Sequence, residues 1–314
     1  RKNHLRLRKL ALPAFSPRIM EQMKQRFSIL VKERFDEIGR PDSFNFASEI
    51  AEIVPTQAIA SLVGIPREKF PIFDSLAYGV VRGINPMLSP EERKEAIKGV
   101  PEGLDLLNEL IDERRESPGD DFLSTLILAE DEGSKLSNLE MCALVGAVLG
   151  AGSDTAVDLH SYLIKNLLQH PGEFESLKLD QTLVQGAISE TLRYESSGKT
   201  GLARYASEDL EICGNLVKKG QMVQLITSTA GMDPTIYQDP RKFDIQRDHD
   251  KSISFGQGPH YCIGVTLVRS QTEVMLKELF KRFPNLSLGD EIVYDYDHHN
   301  ARRMDVMMVN TNLD

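Results

Sequence analysis

The sequence predicts a mainly helical α+β fold, and three observations carry this prediction. Apolar residues recur at helical spacing over long stretches, of which residues 136–170 are the longest. Strand-like segments are short and occur only after residue 200. The chain has 314 residues, 41% of them hydrophobic, which is ample for a large core. Many helices followed by short strands favour an α+β domain.

The first 130 residues are predicted to form helices that alternate with turns. The segments GRPDSFNF and GIPREKF contain the glycine and proline typical of loops, and Pro86 and Pro90 break the pattern again. Apolar spacing predicts helices over residues 4–11, 18–38, 46–63, 91–116 and 122–130, with a further helix after GIPREKF.

The longest helix is predicted over residues 136–170. Ser137 and Glu140 have the spacing of a capping box at its start, and His170-Pro171-Gly172 marks its end. A further helix is expected over residues 183–194 and another after residue 262. Strands are expected over residues 203–205, 210–212, 222–227, 285–288 and 304–309. The turn Lys218-Lys219-Gly220 predicts that strands 210–212 and 222–227 pair antiparallel.

Charge and composition exclude several classes of function. A net charge of −10 argues against a nucleic-acid-binding surface. Three cysteines without framework spacing favour a reducing compartment. No signal peptide is visible, and the most apolar run, residues 142–151, is about half of the roughly 20 residues that a membrane-spanning helix needs. We therefore expect a cytoplasmic protein without membrane or nucleic-acid partners.

The most informative stretch is FGQGPHYCIG, residues 255–264. Gly256 and Gly258 permit backbone geometries that other residues resist, and Pro259 stiffens the loop. Cys262 would lie near a helix N-terminus, where the dipole lowers the pKa of a thiol and favours the thiolate. Such a thiolate suits a soft metal centre or a nucleophile. A cysteine hydrolase using Cys262 and His260 is one alternative, and a structural cysteine is another.

A second informative stretch is GAGSDTA, residues 150–156, inside the longest helix. Its small residues would open a groove for a flat ligand, and Ser153 or Thr155 can hydrogen bond to the preceding turn. Asp154 beside Thr155 offers an acid and a hydroxyl for proton delivery. The alternative is close packing between helices, as in a helical scaffold without a cofactor.

Two pairs of charged residues share helix faces. Glu190 and Arg193 are three residues apart and can pair, with an exposed surface pair as the alternative. His4 and Arg8 are four residues apart, and the alternative for them is a solvated basic terminus.

These motifs together resemble the cytochrome P450 family, in particular its soluble bacterial branch. The loop from Phe255 to Gly264 matches Phe-Gly-x-Gly-x-His-x-Cys-x-Gly at every fixed position. The resemblance implies that Cys262 is the thiolate ligand of a haem iron. The central-helix motif Ala/Gly-Gly-x-Asp/Glu-Thr is also matched, by Ala151, Gly152, Asp154 and Thr155. It implies a haem-facing position for this segment and proton delivery by Asp154 and Thr155.

The same resemblance assigns the remaining charged positions. It implies contacts to the haem propionates from His4, Arg8, Arg204 and His260. It also implies a buried brace for the cysteine loop that consists of Glu190, Arg193 and Arg247. Candidate substrate-pocket residues by resemblance lie in ranges 83–87, 143–150 and 197–202.

The resemblance implies a single cytochrome P450 domain over residues 1–314 that lacks the usual N-terminal segment. Its expected activity is insertion of one oxygen atom from O2 into a small apolar organic substrate, by hydroxylation or epoxidation, in secondary metabolism. The expected cofactor is haem b (iron protoporphyrin IX). Electrons are expected from a separate ferredoxin or flavodoxin with its reductase, which docks near Lys251 and Arg269. A haem protein without turnover, and a peroxygenase or other variant that is not a monooxygenase, are the alternatives within the same fold.

Overall fold

A computed structural model describes residues 2–85, 87–129, 133, 135–196, 201–295 and 302–312. Its α-helices are α1 Lys2–Ala11, α2 Pro17–Ile38, α3 Ile53–Val63, α4 Phe70–Gly83, α5 Pro90–Ala96, α6 Val100–Glu116, α7 Phe122–Leu128, α8 Asn138–Gln169, α9 Pro171–Leu179, α10 Val184–Tyr194, α11 Thr227–Ala230 and α12 Val265–Arg282. Its strands are β1 Ser43–Asn45, β2 Leu202–Tyr205, β3 Leu210–Ile212, β4 Asn215–Val217, β5 Met222–Leu225, β6 Ser287–Asp295 and β7 Arg303–Asn310.

Helix α8 is the axis of the fold. Its start carries the predicted capping box, in which Ser137 Oγ accepts from the Glu140 backbone N–H at 3.2 Å and the Glu140 side chain accepts from the Ser137 N–H at 3.0 Å. With 32 residues the helix is about 48 Å long. It contacts α3, α4, α6, α9, α10, α12, β6 and β7.

Two hydrophobic clusters pack around α8, one at each end. The N-terminal cluster includes Met141, Val145 and Leu149 of α8, together with α3, α4, α6 and α7. The C-terminal cluster includes the apolar side chains of α8 from Val157 to Leu167, with α9, α10, α12 and β7. The small-residue segment at positions 150–155 therefore lies between the two clusters.

The length and composition of α8 would also allow it to cross a membrane. The sequence prediction counted only the uninterrupted apolar run and missed this. Because α8 contacts helices and strands on many sides and its C-terminal half is buried, the structure gives it the place of a core helix.

The predicted helix over residues 91–116 is wrong as a single element. The chain turns between α5 and α6, where a Cβ on Gly99 would come within 2.7 Å of the Ser75 Cβ. Pro101 then occupies the first turn of α6, where a backbone N–H would have no acceptor within the helix, so the proline costs no helical hydrogen bond. Close packing of this turn on α4 thus interrupts an otherwise helical pattern.

The predicted pairing of strands 210–212 and 222–227 is also wrong. Strand β3 pairs with β4, which the sequence prediction missed, and β5 pairs instead with β2. The two residues that connect β3 and β4, Cys213 and Gly214, both have positive φ and so form a tight hairpin turn. This turn brings β3 back onto β4 before the chain reaches the turn at Gly220.

The remaining sheet is formed by the end of the chain. Strand β7 lies between β6 and β1, and both pairings are antiparallel. Strand β1 falls in a segment predicted as a loop, and α9 follows directly on α8 in a segment predicted to end a helix. This sheet places Arg302 and Arg303, at the start of β7, against α8.

Candidate functional site

The cysteine loop folds as its glycines predict. Gly256 has φ 72° and Gly258 has φ 66°, both in the left-handed region that favours glycine. The Cys262 N–H donates to the Phe255 carbonyl at 2.8 Å, and the Tyr261 N–H donates to the Gly258 carbonyl at 3.0 Å. These bonds close the loop into a fixed frame that holds the Cys262 sulfur just before α12.

The prediction that the pKa of the Cys262 thiol is lowered is wrong for the chain alone. Burial raises the pKa of the Cys262 thiol, while the Gly264 backbone N–H and the charge of Arg8 oppose this shift without overcoming it. Helix α12 begins three residues later, at Val265, so the dipole acts from a distance. A Cβ at Gly264 would lie 4.0 Å from the sulfur, an ordinary van der Waals distance, so a small side chain there would not crowd the sulfur.

Basic side chains surround the loop on the side of α1. The rings of His4 and His260 stack with centroids 4.1 Å apart, and the Arg8 guanidinium donates to the Tyr261 carbonyl. Desolvation, and then the charges of His260 and Arg8, lower the pKa of His4. Within the described residues these three side chains have no carboxylate ion-pair partner. Arg8 therefore has no anionic partner in the part of the chain that the structure describes.

Arg204 stands apart from this cluster in the described contacts. It lies on β2, an exposed strand, and its guanidinium donates to the Ala203 carbonyl at 2.8 Å. The structure thus brings His4, Arg8 and His260 together with Cys262 but does not join Arg204 to them.

One face of α8 is open although the helix is central to the fold. Ala143, Ala147, Ala151 and Thr155 are all exposed and are spaced four residues apart, which places them in one row. The Thr155 hydroxyl donates to the Ala151 carbonyl at 2.7 Å. The row thus presents small side chains and one hydroxyl, and a flat ligand can approach its backbone closely.

Gly152 has a different role. A Cβ at this position would lie 3.0 Å from Ile59 Cδ1 of α3, so the glycine permits close packing between the two helices. This is the packing alternative that the sequence left open, and it applies to Gly152 but not to the exposed Ala151 and Thr155.

Asp154 faces another side of α8. Arg303 of β7 donates to Asp154 Oδ1 at 3.1 Å and also to Glu52 Oε1 at 2.9 Å, just before α3. Asp154 and Ser153 line a cavity of about 550 Å³ between α3, α4, α8 and the β6–β7 pair. Thr155 does not line this cavity. The acid and the hydroxyl are neighbours in sequence but face different spaces.

The predicted brace is present and buried. Glu190 is fully buried, and Arg193 donates to both of its carboxylate oxygens at 2.7 Å. Arg247 adds a contact of 3.4 Å to the same carboxylate. The two arginines also donate to backbone carbonyls of residues 231–242, which lead toward the cysteine loop. The alternative of a surface pair is therefore excluded.

The sequence reasoning missed Arg303 and His249. Arg303 is 149 residues from Asp154, and only the position of β7 brings it there. His249 Nε2 lies 3.7 Å from Glu190, and burial lowers the pKa of this imidazole. Of the predicted substrate-pocket ranges, residues 86 and 197–200 lie outside the described residues.

Comparison with known proteins places this geometry in a family. The family profile "Cytochrome P450" matches residues 180–293. The epothilone C/D epoxidase of Sorangium cellulosum is 36% identical over 94% of this chain and 71% of its own length. A polyketide biosynthesis cytochrome P450, PksS of Bacillus subtilis, is 32% identical over 91% of this chain and 70% of its own length.

A solved structure gives the same result in three dimensions. The crystal structure of epothilone D-bound cytochrome P450epoK superposes with a TM-score of 0.92 at 35% identity, over 100% of this chain and 78% of that one. The chain belongs to the cytochrome P450 family and has its fold. It is a monooxygenase, and membership of the family implies a haem cofactor, an organic substrate, O2 and redox partners.

The residues present fit a haem. A cysteine sulfur is held in a fixed loop beside basic side chains that have no carboxylate partner among the described residues, and a haem carries two carboxylates that would supply one. The exposed row on α8 adds a flat surface of small residues.

Proposed function

We propose that the chain is a haem b monooxygenase in which Cys262 ligates the iron. The observation that carries this proposal is the closed cysteine loop with the basic side chains of His4, Arg8 and His260 beside it, none of which has a carboxylate ion-pair partner within the described residues. A metal would hold the sulfur as thiolate despite the burial that raises the pKa of the free thiol. When bound, the haem supplies the activation of dioxygen and the oxidising chemistry.

The basic residues would anchor and orient the cofactor. Arg8, which donates to the Tyr261 carbonyl, and the neighbouring His260 would donate hydrogen bonds to the propionates. A carboxylate that joined the cluster would oppose the desolvation and the neighbouring charges that now lower the pKa of His4. Arg204 is proposed as a further propionate contact by resemblance, and Phe255 and Gly264 as parts of the loop that shape the cofactor's proximal side.

The open row of α8 would form the distal wall. Ala151 and its neighbours leave room for the cofactor and substrate, and the Thr155 hydroxyl is presented on the same face. We propose that Thr155 holds water at this wall and that Asp154, which faces another side of α8, supplies protons to it. Replacing Thr155 with alanine is expected to lower the fraction of electrons that reach product, because general acid assistance contributes about 10²-fold or more. Unchanged coupling favours the alternative of a haem protein that does not use this pair.

We propose that the substrate is an apolar metabolite of the polyketide type. The support is the sequence identity to the epothilone C/D epoxidase and to PksS, a cytochrome P450 of polyketide biosynthesis. The row of alanines on α8 carries no charge that would select an ionic substrate.

A defined reaction tests the proposed function. The reconstituted chain is supplied with electrons by ferredoxin and its reductase, under oxygen-18 gas, with epothilone D as probe. Mass spectrometry is expected to show one oxygen-18 atom per product molecule. A product without the label, or turnover driven only by added peroxide, supports instead the peroxygenase alternative.

We also propose a cytoplasmic location and a ferredoxin or flavodoxin donor that docks beside the cysteine loop. Lys251 is exposed there, whereas Arg269 lies with its guanidinium over the Phe255 ring, 5.5 Å from the centroid, and has a buried Nε. Lys251→Glu is therefore expected to slow reduction by the donor at low salt, and Lys94→Glu on α5 serves as a control with the same charge change. Equal rates in the two variants would count against docking at Lys251.

A further inference from the structure

A further cavity lies beside the cysteine loop, away from the basic cluster of α1. It has a volume of about 580 Å³, and its wall comes from α10, the segment before the loop, the loop itself and α12. His4, Arg8, His260 and Cys262 do not line it. The cavity is therefore separate from the space that the basic cluster borders.

Arg269 of α12 brings a cation to this cavity. Its guanidinium lies over the Phe255 ring, 5.5 Å from the centroid, and it makes no ion pair or hydrogen bond within the described residues. Its Nε is buried. A planar guanidinium that stacks on a ring keeps its in-plane N–H donors, which match the oxygens of a phosphate or a carboxylate. Arg269 is thus a charged donor without an acceptor in the part of the chain that the structure describes.

His249 lines the same cavity and is also without a hydrogen-bond partner. Its side chain is 12% exposed, and neither ring nitrogen makes a hydrogen bond within the described residues. Glu190 Oε2 lies 3.7 Å from Nε2, but that carboxylate already accepts from Arg193 and from the Asp244 N–H. Burial lowers the pKa of His249, which favours a neutral imidazole with one N–H to donate. A buried donor without an acceptor costs free energy that a bound oxygen would recover.

The loop adds backbone donors to the cavity, and one acidic side chain opposes them. Gln257 and Gly258 line it, and their backbone N–H groups make no hydrogen bond with any described residue. Asp250 lines it as well, but Asp250 is exposed, so that water and salt screen its charge. The buried side of the cavity therefore favours a ligand with oxygen acceptors, and Asp250 weakens the attraction for negative charge.

We propose that this cavity binds a small oxyanion of the phosphate type between Arg269, His249 and the loop N–H groups. His249 comes before the cysteine loop in the chain, and Arg269 comes after it. An anion that both side chains contact would hold the two ends of the loop together from outside. This site does not depend on a haem or on turnover.

Titration of the full chain with inorganic phosphate at constant ionic strength tests the proposal. The imidazole NMR signals of His249 are expected to shift and to saturate with a Kd of about 1 mM, since only a few charge-assisted hydrogen bonds form. The melting temperature is expected to rise by about 3 °C at a phosphate concentration of roughly twenty times Kd. Sodium chloride at the same ionic strength is expected to produce neither effect.

Four variants locate the site, with the rise in melting temperature as the common readout. Arg269→Gln and His249→Phe are each expected to weaken phosphate binding about tenfold, because each removes a donor to the anion. Arg241→Gln is the matched control, since Arg241 is exposed and does not line the cavity. Asp250→Asn is expected to tighten binding about two- to threefold, because it removes a like charge. Asp250 is exposed, so this variant still tests the site if the two buried changes unfold the chain.

Three results would overturn the proposal. They are a response to phosphate that does not saturate, an equal response to sodium chloride, and an equal loss of binding in Arg241→Gln and Arg269→Gln. The titration measures phosphate binding rather than product, so its outcome is separate from that of the labelled-oxygen experiment on the proposed function.

Discussion

Replacing Glu190 with glutamine removes the only negative charge from the brace behind the cysteine loop. The wild-type carboxylate accepts two bonds of 2.7 Å from Arg193, one of 2.8 Å from the Asp244 N–H and a longer one of 3.4 Å from Arg247. Both Glu190 and Arg193 have side chains that are 0% exposed. In the variant two guanidinium groups face a neutral amide, and Arg193 keeps its charge without access to water.

We expect this variant to lose about 3–5 kcal/mol of unfolding free energy, the usual penalty for breaking a buried ion pair. Glu175→Gln is the matched control because Glu175 pairs with Lys178 at 2.8 Å with the same three-residue spacing, but its side chain is 58% exposed. That pair should contribute no more than about 1 kcal/mol. Urea unfolding followed by far-ultraviolet circular dichroism measures both. A Glu190→Gln loss as small as that of Glu175→Gln would refute the buried brace.

Two further predictions concern packing and pH. Gly186→Ala should lower the free energy of unfolding by about 1–3 kcal/mol, because the new Cβ would lie 2.0 Å from the Ile245 carbonyl oxygen. The control Gly172→Ala places its Cβ where no atom lies within 4 Å and should be neutral or stabilising. Urea unfolding compares the two variants, and equal effects would contradict the close approach at Gly186. His160 is buried against Thr272, and burial lowers the pKa of its imidazole to about 3 from 6.5. As the pH falls below 6.5, the unfolded chain takes up a proton at His160 before the folded chain does. The free energy of unfolding should therefore fall by up to about 1.4 kcal/mol for each pH unit as the pH is lowered from 6.5 to 3. His160→Met should lose this pH dependence, and a variant that keeps the wild-type slope would contradict the buried neutral imidazole.

Local sequence rules predicted the cysteine loop and the capping of α8 correctly. Gly256 and Gly258 adopt positive φ, and Ser137 and Glu140 form the reciprocal cap. These features depend on residues within a few positions of one another, so the sequence contains nearly all that determines them.

The sign of the Cys262 pKa shift depended on burial, which is a tertiary property. The dipole argument correctly identified a favourable contribution, and the Gly264 N–H provides it. The larger effect comes from the elements that pack around the sulfur and exclude water. A sequence pattern does not show how completely water is excluded from the sulfur, and so the direction of the pKa shift was predicted wrongly.

Pairings between distant segments were the least predictable features. Strand β5 had two possible partners with similar patterns, and the choice of β2 depends on the hairpin turn at Cys213 and Gly214. Arg303 resembles any exposed strand arginine in sequence, and only the antiparallel placement of β7 beside β6 and β1 brings it to Asp154.

The absorption spectrum of the reduced chain under carbon monoxide tests whether Cys262 supplies a thiolate to a haem iron. The wild-type chain is expected to show the red-shifted band of thiolate-ligated haem. The same band is expected for Cys142→Ser, because Cys142 is buried in α8 away from the loop. Cys262→Ser should lose it. A haem-loaded wild-type chain without this band, or a Cys262→Ser variant that keeps it, would contradict the assignment.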